Sequence, residues 1–188
     1  MARPKSDDKR AAILAAAVRV IGAEGLGAAT AAIAKEAGVS NGSLFTYFET
    51  KADLLNHLYV ALKTEMAAAA LDGLPAKGDI RKLSFHMWRH RLHWATSFPQ
   101  KRRTLAHLSV CDDITPASRQ AGHVAMAGVA QLLEKSRANG PMRGTPLAFV
   151  VAILNAMADA TMDFMIHDPA HAEKHCKTGF EALWRMVA

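Results

Sequence analysis

An all-helical chain is the fold class this sequence predicts. Three observations carry the prediction. Apolar residues recur at three- and four-residue spacing along most of the 188 residues, glycine and proline punctuate the breaks between those runs, and no stretch alternates polar and apolar residues as a half-buried strand would. A hydrophobic content of 51% is enough to build a core and excludes a disordered chain.

The elements follow in order. The first helix carries Ile13, Leu14, Ala17, Val18 and Ile21 on one face and ends at the Gly25 turn. Thr30, whose hydroxyl can accept backbone N–H bonds, opens a short second helix with Ile33, Ala34 and Ala37 as its apolar positions. Gly38 stops that helix, because glycine tolerates the left-handed conformation needed for a sharp turn. Val39 fills the corner and Ser40 caps a third helix, on which Leu44 and Phe48 at i and i+4 face inward. A long helix then spans residues 51–71, with Leu54, Leu55, Leu58, Ala61, Leu62 and Met66 on its apolar face. Gly73, Pro75 and Gly78 form a linker. Asp79 caps a helix to about Ser97, which the Phe98-Pro99 pair ends, and a shorter helix runs from Gln100 to Cys111. Thr115-Pro116, Thr145-Pro146 and Asp168-Pro169 each place a capping side chain before a proline at the first helical position. These signals predict helices over 116–138, 146–167 and 169–187.

The second and third helices form the most informative segment. The third leaves Asn41, Gly42, Ser43, Phe45, Thr46 and Tyr47 facing outward, a face without carboxylate, histidine or cysteine and therefore poor for catalysis. It suits a DNA groove: small residues allow close backbone approach, while hydroxyls, an amide and aromatic rings reach phosphates, base edges and thymine methyls. The whole run from Ala11 to Leu55 resembles the helix-turn-helix domain of the TetR family of transcriptional regulators. The matching pieces are the first-helix apolar set, the Gly25 turn, Thr30, Ile33-Ala34, Ala37-Gly38-Val39-Ser40, Gly42, Leu44-Phe45, Tyr47-Phe48, and Lys51 with Leu54-Leu55. Each piece alone is weak, and their order and spacing together carry the resemblance. Leu26, Ile21 and the alanines 28, 29, 31 and 32 depart from the family's habit. The alanines remove side chains that could touch DNA, which concentrates reading on the third helix.

The resemblance implies roles for particular residues. Asn41, Gly42, Ser43, Phe45, Thr46 and Tyr47 would read the major groove of a double-stranded operator, and Thr30, Ser40 and Lys51 would hold its phosphates. Arg3 and Lys5 lie in an N-terminal arm that is read first as a solvated tail and second as a minor-groove contact. The implied organisation is a DNA-binding domain over 1–50 and a helical regulatory domain over 51–188 that binds a small-molecule effector and forms a homodimer, with the helix 51–71 as connector.

Charge and cysteine content add limits. The net charge of +6 is compatible with nucleic acid, but the first 63 residues hold eight basic and six acidic residues, so the surplus is not concentrated at the motif. The densest basic run is Lys77 to Arg103, where Asp79 alone opposes eight basic residues. It reads as a solvated helical surface, or as a wall attracting anionic ligands. The apolar stretch from Phe149 to Ile166 carries Asn155, Asp159 and Asp163 at i, i+4 and i+8, a polar stripe that a lipid-facing span would not keep. No membrane association is expected, and two cysteines outside any paired motif fit a reducing cytoplasm.

In the regulatory part, Met66, Trp88, His107, Cys111, Met126 and Met157 are the candidate pocket, with His107 or Arg89 as its polar hands; the methionines and tryptophan also read as ordinary core. The last two helices carry more apolar surface than one face needs, so Phe149, Ile153, Phe180, Leu183 and Trp184 are the candidate dimer interface in a four-helix bundle with the symmetry mate. His86, His90 and His93 share a helix face at spacing that can chelate zinc or copper, but no carboxylate stands within the cluster to complete a site. Cys111 with His107 as base lacks an orienting third group. Neither a metal nor another cofactor is expected, and no enzymatic activity. The reading is a repressor released from a palindromic operator by a hydrophobic or aromatic effector, able to carry a negative charge. A metal-responsive repressor of the same fold, or an enzyme or carrier on the helical domain, are the alternatives.

Overall fold

The structure is a computed structural model that describes residues 5–188. Arg3 lies outside them, and Lys5 begins the first helix. The described residues form ten α-helices: α1 (Lys5–Glu24), α2 (Thr30–Glu36), α3 (Asn41–Tyr47), α4 (Lys51–Leu71), α5 (Ile80–Ser97), α6 (Pro99–Ser109), α7 (Pro116–Ala125), α8 (Ala127–Arg137), α9 (Leu147–His167) and α10 (Ala172–Val187). They divide into two compact units. The first contains residues 5–64 and 98–125, the second residues 65–97 and 126–188. The chain of α4 runs without interruption from the first unit into the second.

Four sequence expectations about the helices are corrected. Thr30 is not a cap: Ala29 occupies the N-cap position of α2 with no side-chain hydrogen bond, and Thr30 is the first helical residue. The single helix expected over 116–138 is two, parted at Met126, whose backbone (φ −87°, ψ 4°) leaves the helical region. Pro146, not Thr145, is the N-cap residue of α9. The stretch after Asp168-Pro169 begins as a 3-10 turn over Pro169–His171, and α10 follows it. Asp79 behaves as expected, its carboxylate accepting the Lys82 N–H at 3.0 Å.

The first unit is organised around α1. Ile13, Ala16, Ala17 and Ile21 are fully buried, and Ile33, Leu44, Phe48, Leu54 and Leu58 are almost completely withdrawn from water. Burial of the isoleucine, leucine and phenylalanine side chains contributes roughly 1.5–3 kcal/mol each. Helix α6 packs along α1, with Thr104 Oγ1 donating to the Val18 carbonyl at 3.0 Å and Arg103 to that of Gly22 at 3.1 Å. Gly22 permits this approach, since a Cβ there would stand 3.2 Å from the Gln100 carbonyl oxygen.

The second unit packs α10 against α9, and α5 against α8, α9 and α10. Trp88, Val150, Leu154, Ala158, Met162, Cys176, Phe180 and Leu183 form much of its interior. Trp88 Nε1 donates to the Cys176 carbonyl at 3.0 Å, so the buried indole keeps its hydrogen bond. Arg137 organises the loop between α8 and α9: only 7% exposed, it pairs with Glu134 and donates to the carbonyls of Met142 and Thr145, both at 2.6 Å. Helix α9 is the one helix among the described residues long and apolar enough to cross a membrane by length and composition, and Asn155 on it accepts a hydrogen bond from Arg91 at 2.7 Å.

Candidate nucleic-acid interface

Helices α2 and α3 are joined by the four residues 37–40, whose geometry follows from their identities. Gly38 takes φ +69° and donates to the Lys35 carbonyl, and Val39 donates back to Ala34 at 3.0 Å. Ser40 sits in extended conformation as the N-cap of α3, and its hydroxyl oxygen accepts the Ser43 N–H at 3.1 Å. The cap is doubled by a bond from Ser40 Oγ to Ser43 Oγ at 2.9 Å. Leu44 anchors α3 from below, fully buried.

With Leu44 and Phe48 turned in, the rest of α3 faces solvent. Asn41, Gly42, Phe45 and Thr46 are exposed, while Ser43 and Tyr47 are half-buried. Phe45 is 41% exposed, an aromatic ring left in water with no packing reason to be there. Thr46 Oγ1 is occupied locally, donating to the Ser43 carbonyl, so its methyl is the part left for an outside partner. The face carries no charge of its own. A groove can accept such a surface because phosphates, not base edges, demand cations.

Two of the expected phosphate-binding residues have internal partners. Lys51 Nζ donates to the Leu26 carbonyl at 2.6 Å, tying the start of α4 to the turn between α1 and α2. Ser40 is spent on its cap, leaving only its second lone pair. Arg10 lies over the Phe48 ring, 5.1 Å from its centroid, and supports the inward side of α3. Asn56 on α4 was not singled out by the sequence, yet it is a junction of the first unit. Its Nδ2 donates to the Asp113 carbonyl at 2.8 Å, and its Oδ1 accepts from the Thr115 N–H at 2.9 Å. A buried amide on an otherwise apolar helix face was the available signal.

The other candidate sites are rearranged. Of the six expected pocket residues, Met66, Trp88, Met126 and Met157 belong to the second unit, whereas His107 and Cys111 belong to the first, on and just after α6. Cys111 is buried and its carbonyl accepts from Arg119 at 2.9 Å. Among the expected dimer residues, Phe180 and Leu183 are 3% and 5% exposed. Both are buried within the chain itself and offer little surface to a second copy, Phe180 reaching the outside only at the edge of a groove beside α5. Phe149 is exposed, and Ile153 and Trp184 are half-buried.

The three histidines do not converge. His86 bonds the Asp72 carbonyl at 2.7 Å, His90 stacks on His86 at 3.9 Å, and His93 pairs with Glu173 at 2.7 Å. Burial lowers the pKa of His90, and the neighbouring His86 lowers it further. Among the described residues no group of three His, Cys, Asp or Glu side chains is gathered as a metal site.

Comparison with known proteins places these features. Residues 13–58, which include α2, the turn and α3, match the family model described as bacterial regulatory proteins, tetR family. A solved structure described as a tetR family transcription regulator from Shewanella sp. PV-4 is similar over 94% of this chain and 96% of its own, with 27% identity and a TM-score of 0.83. A TetR family transcription regulator from Marinobacter aquaeolei VT8 shares 21% identity over 97% of both chains, with a TM-score of 0.80. The transcriptional regulator FadR from Bacillus subtilis, solved in complex with stearoyl-CoA, shares the fold at 17% identity, covering 95% of this chain and 99% of its own, with a TM-score of 0.71. Residues 13–58 thus form a helix-turn-helix domain of the TetR type, and the all-helical fold is that of TetR family transcription regulators.

Proposed function

We propose that the protein is a homodimeric repressor that leaves a palindromic operator when a small hydrophobic or aromatic effector binds its second unit. The observation that carries the DNA-binding half is the uncharged, solvent-facing surface of α3 behind a complete Ser40 cap, in a segment that matches the family's DNA-binding domain. Asn41, Gly42, Ser43, Phe45, Thr46 and Tyr47 would face base edges. Thr30, Ser40 and Lys51 would flank the phosphates, Lys51 after exchanging its internal carbonyl for an anionic oxygen.

The dimer reading has support on α9. Phe149, Ile153, Ala156, Ala160 and Phe164 fall within about 80° of one another around the helix axis. The two phenylalanines are 57% and 63% exposed in the protomer, an apolar stripe suited to an isologous contact. That stripe replaces Phe180 and Leu183 in the proposed interface. A two-fold dimer would set its reading helices about one helical turn of DNA apart, roughly 34–36 Å. The effector must bind the operator-free state more tightly, or it shifts nothing. The neighbour solved with stearoyl-CoA supports an apolar effector, as does the methionine- and tryptophan-rich interior of the second unit. A cytoplasmic location follows from this reading.

Fluorescence anisotropy against the DNA upstream of the protein's own coding sequence tests the proposal. Saturable, salt-dependent binding of two chains per site is expected, reversed by whatever molecule co-purifies with the protein in mass spectrometry. Binding that is equal for random duplexes of the same length would sink it.

A further inference from the structure

We propose that a groove between the first turns of α5 and the middle of α10 binds an aromatic carboxylate, and that this anion is the effector. The inference rests on the regulator reading above and names the ligand class and the place. The groove is open to solvent and has a volume of about 580 Å³, within the range of about 300–1,000 Å³ usual for small-molecule sites. Its floor is the Phe85 and Phe180 pair, ring centroids 5.0 Å apart and planes tilted by 57°. Tilted rings present both a face and an edge, the two surfaces a third aromatic ring packs against.

The walls set the sign of the ligand. Asp79 and Glu181 are the only carboxylates lining the groove, and both are engaged: Asp79 accepts the Lys82 backbone N–H at 3.0 Å, and Glu181 is bonded to Arg81. Lys82 on the α5 side and Lys177 on the α10 side line the same groove with no ion-pair partner among the described residues. With Arg81 answered by Glu181, two lysines face the single remaining carboxylate of Asp79, so the lining carries a net charge of +1 beside an apolar floor and favours a carboxylate held on a ring over a cation. A neutral ring would gain only the floor. None of the six pocket residues expected from sequence lines this groove. Helix α5 runs from it to Ser97, where the chain passes into α6 of the first unit.

The test uses the full-length protein, 2-naphthoate as the probe, and 2-naphthamide as its uncharged counterpart. In a fluorescence titration the acid should bind at least tenfold more tightly than the amide. The double variant Lys82→Glu with Lys177→Glu should lose at least tenfold in affinity for the acid and keep its affinity for the amide. Its molecular mass by light scattering and its operator affinity without ligand should match the parent. Equal binding of acid and amide, or a variant that holds the acid as the parent does, overturns the inference. A changed mass would mark the groove as a contact between copies and overturn it as well. If the acid binds the groove without releasing operator, its role as effector is refuted. Should the protein bind no operator at all, the regulator reading fails instead, while the titration still decides the groove.

Discussion

Lys51 Nζ and the Leu26 carbonyl oxygen are 2.6 Å apart across 25 residues of sequence, which joins the first residue of the connecting helix to the turn ahead of the reading helices. A residue expected to hold a phosphate is thus also a brace of the domain. Lys51→Ala should lower the stability of the protein by about 1–2 kcal/mol, the usual worth of a hydrogen bond from a charged donor that is partly solvated. If Lys51 also touches DNA, the salt slope of operator binding falls by about 1. Chemical denaturation and anisotropy at several salt concentrations separate the two effects.

Thr46 and Asn41 should respond differently to truncation. The Thr46 hydroxyl is committed to the Ser43 carbonyl, so Thr46→Val keeps the outward methyl and should leave operator preference intact. Asn41 is exposed with its amide free to reach a base edge, and Asn41→Ala should relax preference at one base pair per half-site by about 1–3 kcal/mol. Binding selection on randomised half-sites measures both; a shift of preference in the valine variant would reverse the assignment.

Arg137 holds the α8–α9 loop through two short carbonyl bonds and its pairing with Glu134, whose carboxyl pKa is lowered by the Arg137 hydrogen bond. Replacing it by methionine keeps the volume but strands the carbonyls of Met142 and Thr145. A loss of roughly 2–4 kcal/mol is expected, read from urea midpoints at constant m.

His90 should make the protein sensitive to mild acid. Burial and the stacked His86 hold its pKa below the ordinary 6.5, so the folded state resists the proton that the unfolded chain accepts. At about a unit above pH 6.5 and higher both states are neutral there and the residue contributes no pH dependence. As pH falls below that value the unfolded state gains the proton first, and stability declines until the folded histidine titrates too. His90→Gln should flatten that part of the stability profile. An unchanged slope between pH 6.5 and 5 would rule this source out.

The exposed α9 stripe should decide oligomeric state. Light scattering of the parent should give twice the 20.3 kDa chain mass. Phe149→Lys with Phe164→Lys should give the monomer, because two lysines facing their symmetry mates cannot be buried unpaired. A variant that stays dimeric would move the interface elsewhere.

The two cysteines should be inert in the native protein. Cys176 is fully buried, and burial pushes its thiol up to about 11. Cys111 is buried as well. A thiol reagent at pH 8 should find no fast site before denaturation and two after it.

What the sequence determined by itself was local. The turn at Gly38, the Ser40 cap, the inward pair Leu44 and Phe48, and the bounds of the helix 51–71 follow from residues within a few positions of one another, where spacing and backbone preference suffice. Helix-turn-helix recognition was legible for that reason. The rest was decided by tertiary structure. An amphipathic helix announces that it has an apolar face but not which neighbour covers it, so Phe180 and Leu183 could be assigned to a partner while packing at home. His107 and Cys111 were grouped with residues of the other unit because sequence gives chemistry without placement. The pairings of Lys51 with Leu26, Asn56 with Thr115, and Trp88 with Cys176 join residues 25 to 88 positions apart. Only the folded chain brings such residues within the few ångströms over which hydrogen bonds, burial and charge act.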